Sequence, residues 1–256
     1  MMFNGTFAKQ GLNCTYSAFE VSSEQLPAAV EAAKSLGFAG FNVTMPHKVA
    51  ILPLLDKVSN DAAEIGSVNT VVRNSVRFEG YNTDGEGTVR TLRAYGFEPR
   101  GSKVLVIGAG GAARSVVHRL STEAKEISIL NRSEKEAQRI ADKTKAHVKT
   151  RAGPLSRNEL ETGFHNAGLI VNATPTHTTN LLETFGLSVP THSNNPWIFD
   201  LAYNSEPKQL LGPRRIHPLE LLVQQAALSY ELWFGQSAPI ELMRSILVEN
   251  NGGDWK

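Results

Sequence analysis

Two charged residues in the first third of the chain, Lys48 and Asp84, have the types and positions that proton transfer requires. Each begins a predicted helix after a predicted strand, and ligands of open α/β sheets gather at the carboxyl ends of strands. A nearby carboxylate keeps a lysine charged and orients it for acid–base work. The pair is therefore predicted to face one cleft and to serve a carbonyl oxygen during hydride transfer, without a metal. The alternative is that Asp84 only caps a helix and that Lys48 is a solvated surface residue.

Further polar residues lie at strand ends or helix starts of the same region, namely Asn42, Thr44, Asn69, Asn82 and Thr83. Asn69 lies inside the apolar stretch VNTVV, where a buried amide needs a hydrogen-bond partner. This position predicts that the Asn69 side chain is held by neighbours near the Lys48–Asp84 pair.

A glycine-rich turn, GAGGAA at 108–113, follows the apolar strand VLVI and opens a predicted helix. In this context the pattern is typical of a dinucleotide-binding site. Gly108 permits the tight turn, Gly110 lets the backbone approach a pyrophosphate, and Ala113 allows close packing of helix on strand. Amides at the start of the helix would hold the anion. The alternative is a tight turn without a ligand.

The next predicted strand ends in ILNRSEK, where an enzyme that uses NAD typically has a carboxylate for the ribose. This chain has Asn131 and Arg132 instead, and a guanidinium suits a 2′-phosphate. Ser133 can donate a hydrogen bond and Lys135 adds positive charge. The sequence therefore predicts NADP rather than NAD, the alternative being a solvated arginine.

The order of predicted elements indicates two α/β domains, 1–100 and 101–216, with a deep cleft between them. In 101–216, apolar strands alternate with helices, as in a Rossmann-like, doubly wound parallel sheet. Two long amphipathic helices within 217–256 are predicted to complete the first domain. In that domain the pattern predicts, in order, a helix closed at Gly11, a half-buried strand at 15–21 and a helix at 26–36. A helix from Pro46 toward Val58, interrupted or restarted at Pro53, a hairpin around Asn74–Ser75 and a helix that begins at Thr83 or Asp84 are predicted to follow.

The composition excludes several classes of protein. The 256 residues carry a net charge of about +1 and no block of like charges, which argues against nucleic acid or an anionic membrane as a partner. The apolar runs are too short to span a bilayer, and no secretory signal is visible. Cys14 is the single cysteine, and no Cys/His spacing is typical of zinc. We expect a soluble cytoplasmic protein without a metal.

The chain resembles the shikimate dehydrogenase family. The resemblance covers nearly the whole chain and is carried, in the family's order, by NVTMPHK, AAEIGSVNTVV, GYNTDGEG, GAGGAARS, ILNRS, VNATP, FDLAY and LLVQQAALSYELWFG. It implies an oxidoreductase that interconverts 3-dehydroshikimate and shikimate with NADP(H), a step toward chorismate and the aromatic amino acids. It also implies a substrate domain built from both chain ends around a Rossmann domain.

The resemblance also implies roles for single residues. Lys48 corresponds to the catalytic lysine and Asp84 to its partner; Asn42, Thr44, Asn69 and Gln225 correspond to substrate ligands. The pyrophosphate turn is Gly108, Ala109, Gly110, Gly111 and Ala112; the phosphate clamp is Asn131, Arg132, Ser133 and Lys135; the ribose and nicotinamide are lined by Asn172, Ala173 and Thr174, with Tyr203 at the domain junction.

The chain departs from the family pattern in three places. The family's first strand and its Ser-x-Ser motif, which binds the substrate carboxylate, are not seen before FNGTF. The expectation is a start further upstream or a fragment; a chain that has lost the carboxylate site, or compensation by Ser22 and Ser23, are the alternatives. The chain reads NATPTHTT where the family has NATP-x-G-M, which predicts a differently shaped loop, and Glu136 lies near a position that is basic in the family.

Two other functions stay open at this stage. A relative that prefers quinate or another hydroxylated cyclohexene acid would differ by a small change in the pocket. A non-catalytic NADP-binding protein would have no need of both Lys48 and Asp84, so their presence argues against it. A monomer or a homodimer is expected.

Overall fold

The computed structural model describes residues 1–188, 195–202 and 214–251. Two compact units are present. The first comprises Met1–Asp84 together with Leu222–Lys256, and the second comprises Gly85–Leu221.

The helices near the start of the first unit confirm the sequence pattern. Helix α1 (Met2–Lys9) is followed by Gly11 at φ +67°, and α2 (Leu26–Ser35) by Gly37 at φ +77°. Glycine adopts this left-handed conformation without steric cost, so it ends a helix readily. Pro27 lies in the first turn of α2, where its missing amide hydrogen costs nothing.

A four-stranded sheet lies in the first unit, in the order β1-β3-β4-β2. Its strands are β1 (Gly40–Asn42), β2 (Lys57–Val58), β3 (Thr70–Asn74) and β4 (Arg77–Tyr81). The antiparallel β3–β4 pair is the predicted hairpin, and Ser75 in its turn has φ +57°. Val68, Val71 and Phe78, all fully buried, form the core against α2.

The prediction of a strand at 15–21 is wrong, since this segment has no regular structure. Alternating residues fit a strand only where a neighbouring strand takes up the backbone groups. Here the Tyr16 amide donates to Asn4 Oδ1 (2.7 Å), and the Tyr16 carbonyl accepts from Asn4 Nδ2 (2.8 Å). A side chain of α1 therefore replaces the strand partner.

The predicted interruption at Pro53 of the helix from Pro46 toward Val58 is confirmed, whereas an α-helix that restarts there is not seen. Helix α3 (His47–Ala50) is followed by a 3₁₀ turn (Leu52–Leu54) and then by β2. Pro53 has no amide hydrogen and disfavours a continued α-helix. Helix α4 (Asn60–Ile65) begins at Ser59, whose hydroxyl accepts from the Ala62 amide.

The second unit contains a six-stranded parallel sheet in the order β10-β9-β8-β5-β6-β7. Its described strands are β5 (Lys103–Ile107), β6 (Glu126–Asn131), β7 (Lys149–Pro154), β8 (Leu169–Asn172), β9 (Trp197–Asp200) and β10 (Arg215–Ile216). The helices that connect them are α6 (Gly111–Leu120), α7 (Glu134–Thr144), α8 (Arg157–Asn166) and α9 (Thr178–Thr184).

Buried side chains cover both faces of this sheet. One cluster surrounds Val106 and Ile129, and the other surrounds Leu105 and Phe164. Strands buried on both faces read as continuous apolar runs, which is why the doubly wound Rossmann-like arrangement was predictable.

The remaining helices are α5 (Asp84–Ala94), α10 (Pro218–Phe234) and α11 (Ile240–Asn251). Helix α11 packs on α1, and aromatic rings of α1 meet those of α10, with Phe3 and Trp233 5.2 Å apart between centroids. Within the described ranges, none of the helices has the length and apolar character needed to cross a bilayer.

Candidate functional site

The structure brings Lys48 and Asp84 together in the first unit. Lys48 lies on α3, just after β1, and Asp84 is the first residue of α5, just after β4. Lys48 Nζ and Asp84 Oδ2 are 2.8 Å apart, and the two side chains are 24% and 7% exposed. Asn82 Oδ1 accepts from the Asp84 amide at 3.1 Å, so Asn82 serves as a local cap of α5. The Asp84 carboxylate is directed to Lys48 and to other side chains instead.

The second oxygen of Asp84 is held by two amides. Asp84 Oδ1 accepts from Asn69 Nδ2 at 2.7 Å and from Gln225 Nε2 at 2.9 Å. Asn69 is itself fixed, because its Oδ1 accepts from the Thr83 amide at 2.9 Å. Hydrogen bonds to an ionised group are the stronger kind. The carboxylate is therefore locked in one orientation, with its Oδ2 presented to the lysine.

A second set of polar contacts orients Asn42 at the end of β1. Asn42 Nδ2 donates to Ser229 Oγ (2.9 Å) and Thr70 Oγ1 (3.1 Å), and Asn42 Oδ1 accepts from the Tyr16 hydroxyl (3.0 Å). Burial raises the pKa of the Tyr16 hydroxyl above its ordinary value. Thr44, also predicted at the site, is exposed in the turn that follows Asn42.

Sequence reasoning missed Tyr16, Thr70 and Ser229. Thr70 directly follows Asn69 in a buried strand, and Ser229 lies one helical turn after Gln225 on α10, so periodicity could have found both. Tyr16 lies in the segment wrongly predicted as a strand, where no local signal marks it.

The glycine-rich turn of the second unit has the conformation that an anion site requires. Gly108 has φ +110°, and a Cβ there would lie 3.2 Å from the Ala173 carbonyl carbon and oxygen, so only glycine fits. Gly110 caps α6, and no atom would lie within 4 Å of a Cβ on it, which leaves its backbone open to a ligand. Ala109, Gly111 and Ala112 are partly accessible around it, whereas Ala113 is buried in the core.

The end of β6 carries exposed positive charge. Arg132, Ser133 and Lys135 are all exposed, and neither Arg132 nor Lys135 forms an ion pair with any residue that the structure describes. Asn131 Nδ2 donates to the Ser133 carbonyl at 3.0 Å and shapes the turn. Glu136 forms an ion pair with Arg139. Arg132 and Lys135 are thus available to an external phosphate.

At the end of β8, Asn172 is almost fully buried. Its Oδ1 accepts from the Thr174 amide (3.1 Å) and the Thr174 hydroxyl (2.7 Å), while the Ala173 amide donates to the Ile107 carbonyl (2.8 Å). Residues 172–174 therefore lie beside the Gly108 turn. Tyr203, predicted to join the site, lies outside the described residues.

The residues of the glycine-rich turn and of the end of β6 suit the phosphates of a dinucleotide. In the part of the chain described, no three His, Cys, Asp or Glu side chains are grouped to hold a metal ion. The open glycine backbone and the two unpaired cations fit a pyrophosphate and a further phosphate.

Three family models match the chain. They are described as the shikimate dehydrogenase substrate binding domain (residues 1–71), shikimate / quinate 5-dehydrogenase (93–207) and the shikimate 5′-dehydrogenase C-terminal domain (219–247). The chain is 42% identical to the shikimate dehydrogenase (NADP(+)) of Methanopyrus kandleri over 97% of this chain and 90% of that protein.

Two solved structures illustrate the structural likeness. The shikimate 5-dehydrogenase of Listeria monocytogenes, in complex with shikimate and NAD, matches with a TM-score of 0.85 and 29% identity over 96% of this chain and 90% of that one. The quinate dehydrogenase of Corynebacterium glutamicum, in complex with NAD, matches with a TM-score of 0.81 and 26% identity over 97% and 93% of the two chains.

Proposed function

Because the chain belongs to the shikimate dehydrogenase family, we propose that it catalyses the reversible, NADPH-dependent reduction of 3-dehydroshikimate to shikimate. The first unit would bind the substrate and the second unit the cofactor. The observation that carries the proposal is the Lys48–Asp84 ion pair of 2.8 Å, held by the amides of Asn69 and Gln225.

In this proposal Lys48 is the acid–base group. Bound NADPH supplies the hydride. The Lys48 ammonium gives its proton to the C3 oxygen as negative charge develops there, and in the oxidation it takes that proton back. Asp84 orients the ammonium, and its own orientation is fixed by the two amides. Preorganised contacts of this kind cost no rearrangement during the reaction.

The substrate hydroxyls would be bound by Asn42, Thr44, Asn69 and Gln225. Asn42 and Asn69 are each fixed by several neighbours, so a hydroxyl would meet amide groups that have little freedom to turn away. Buried polar groups that need a particular hydroxyl discriminate strongly against an acid that lacks it.

The second unit would hold NADP through the turn at Gly108–Ala112 and through Arg132, Ser133 and Lys135 at the end of β6. Support comes from the unpaired state of Arg132 and Lys135 among the described residues, and from the NADP(+) in the name of the relative that is 42% identical. The oligomeric state and the cytoplasmic location stay predictions.

A related substrate is the second candidate. The quinate dehydrogenase with a TM-score of 0.81 shows that this fold also serves an acid of similar shape. Quinate would use the same Lys48–Asp84 pair, and only the surrounding side chains would select between the two acids.

The test is turnover. NADP and NAD reduction are followed at 340 nm with shikimate and with quinate, using the chain and its Lys48→Ala variant. We expect shikimate with NADP to be the best pair and the variant to lose about 10²–10⁴-fold in kcat. A variant that keeps more than about a tenth of kcat would remove Lys48 from the mechanism. If the chain binds NADP but turns over neither acid, the proposed enzyme function is wrong and an NADP-binding protein is the better explanation.

A further inference from the structure

A buried carboxylate lies at the end of β9 in the second unit, outside every role assigned above. Asp200 is 1% exposed. Its Oδ1 accepts three hydrogen bonds, from Asn172 Nδ2 (2.7 Å), the Thr178 amide (2.9 Å) and the Thr178 hydroxyl (2.6 Å). A charge is costly to bury unless donors and opposite charges surround it.

The other oxygen of Asp200 faces two basic side chains. Asp200 Oδ2 lies 3.6 Å from Arg215 Nη2 and 3.7 Å from His177 Nδ1. Both side chains are also buried, at 8% and 2% exposure. At these distances Asp200 Oδ2 makes no hydrogen bond to any described residue, so Arg215 offsets the charge of the carboxylate while the donors to Oδ1 fix its position.

This arrangement sets the orientation of Asn172. Because Asp200 Oδ1 and the Thr176 carbonyl both accept from Asn172 Nδ2, each at 2.7 Å, the Asn172 side-chain carbonyl is left to accept from the Thr174 amide and hydroxyl. The intervening Ala173 is the residue against which Gly108 packs. A Cβ on Gly108 would lie only 3.2 Å from the Ala173 carbonyl. An unbroken set of contacts thus runs from Asp200 to the glycine-rich turn.

Two residues at one of the places where this chain departs from the family pattern lie in the same cluster. Where the family has Gly-Met after NATP-x, this chain has His177 and Thr178. A methionine there could offer Asp200 only its backbone amide, whereas Thr178 adds a hydroxyl at 2.6 Å.

We propose that Asp200 is a positioning residue for the cofactor site. Held by the hydrogen bond from the Thr178 hydroxyl, Asp200 keeps residues 172–174 against the Gly108 turn. The inference rests on the proposed function, because it concerns the NADP site of that function. Asp200 does not act on the cofactor directly. It fixes the segment and the turn between which the cofactor would lie.

The test uses two adjacent buried threonines as a matched pair. Thr178 bonds to Asp200, whereas the buried Thr179 Oγ1 makes no hydrogen bond to any described residue. Thr178→Val and Thr179→Val remove a hydroxyl at nearly constant volume, and Thr178→Ser restores it. NADPH affinity is measured by fluorescence titration, together with kcat, the KM for shikimate and the melting temperature.

We expect Thr178→Val to weaken NADPH binding about five- to tenfold, equal to about 1.0–1.4 kcal/mol, because one of three donors to Asp200 is lost. Thr178→Ser should recover most of the affinity, Thr179→Val should stay within about twofold, and the KM for shikimate at saturating NADP should not change. Should Thr178→Val fail to fold, Thr178→Ala against Thr179→Ala repeats the comparison.

The inference is overturned if both threonine variants bind NADPH alike, or if serine does not rescue. It is also overturned if the NADPH affinity and the melting temperature fall while the KM for shikimate rises, since that combination indicates general destabilisation. A wild-type chain that binds no NADPH would instead remove the cofactor site, and with it the proposed function, so the two failures are distinguishable.

Discussion

The ion pair between Lys48 and Asp84 can be tested by changing each partner and both. Asp84→Asn keeps an oxygen that can still accept from Asn69 and Gln225. It replaces Oδ2, which lies 2.8 Å from Lys48 Nζ, by an NH₂ group that cannot accept from the ammonium. The substitution therefore removes one charged contact and spares the rest of the cluster.

The size of the effect follows from this single contact. A hydrogen bond to a charged group contributes about 1.5–3 kcal/mol. Asp84 is 7% exposed, so water replaces the contact poorly. At about 1.36 kcal/mol per tenfold in rate, Asp84→Asn should lower kcat by about 10- to 150-fold. Lys48→Ala should cost more, about 10²–10⁴-fold, because the proton donor itself is lost.

The decisive quantity is the effect of Asp84→Asn in the Lys48→Ala background. If Asp84 acts by orienting the lysine, it has nothing left to orient, and the second substitution should cost no more than about threefold in kcat. The assay is initial-rate kinetics with saturating NADPH on the four proteins of the cycle. Lys34→Ala is the matched control, since Lys34 makes an ion pair of 2.9 Å with Asp56 at 25% exposure in the same unit.

Two results would refute the reasoning. One is a double variant that loses the product of the two single losses, because Asp84 would then act without the lysine. The other is a Lys34→Ala variant that loses kcat as much as Asp84→Asn does, because loss of any ion pair in the unit would then suffice.

Two further predictions concern the second unit. Arg132→Ala should raise the KM for NADP about tenfold while the KM for NAD stays nearly constant, since only NADP has the 2′-phosphate. Arg139→Ala, which breaks the ion pair with Glu136, is the control. An equal rise of the KM for both nucleotides would contradict the assignment. Burial first, and then Arg215, lower the pKa of His217, whose Nδ1 accepts from the Leu219 amide. At pH values between this lowered pKa and about 7, the unfolded chain binds a proton at His217 that the folded chain does not. His217 therefore makes the free energy of unfolding decline as pH falls through this range, and it has no effect above about pH 7. The urea midpoint should fall less between pH 7.5 and 5.5 in His217→Asn than in the wild type, and equal declines would contradict the role of His217.

The parallel sheet was predictable because its signal is local. The stretches 104–107 and 169–171 are apolar without interruption and fully buried, which only a sheet covered on both faces achieves. The segment 15–21 was mispredicted for the complementary reason. Alternation shows which residues turn inward, but it does not show whether a neighbouring strand is present, and here the Asn4 side chain takes that place.

The strand β10 (Arg215–Ile216) was also not predicted. It has two residues, too few for any periodicity to appear, and it forms by parallel pairing with the edge of β9. Its importance comes from Arg215, which it carries to within 3.6 Å of Asp200. A short element can therefore matter to the proposed cofactor site while leaving no pattern in the sequence.

The same distinction separates the site residues that were found from those that were missed. Lys48 and Asp84 carry charge at strand ends, a combination with few structural explanations, and they meet across 36 positions. Gln225 reaches Asp84 across 141 positions, and only the resemblance to a family pointed to it. Tyr16, Thr70 and Ser229 are uncharged, and they act by orienting Asn42, whose own orientation no local pattern reveals. Chemistry that one side chain performs is thus visible in a sequence, whereas the fixing of that side chain depends on partners that only the fold brings near. Asp200 is such a partner. From the sequence alone, a carboxylate at the end of a buried strand is a candidate ligand, but in the structure its Oδ1 accepts from Asn172 and Thr178.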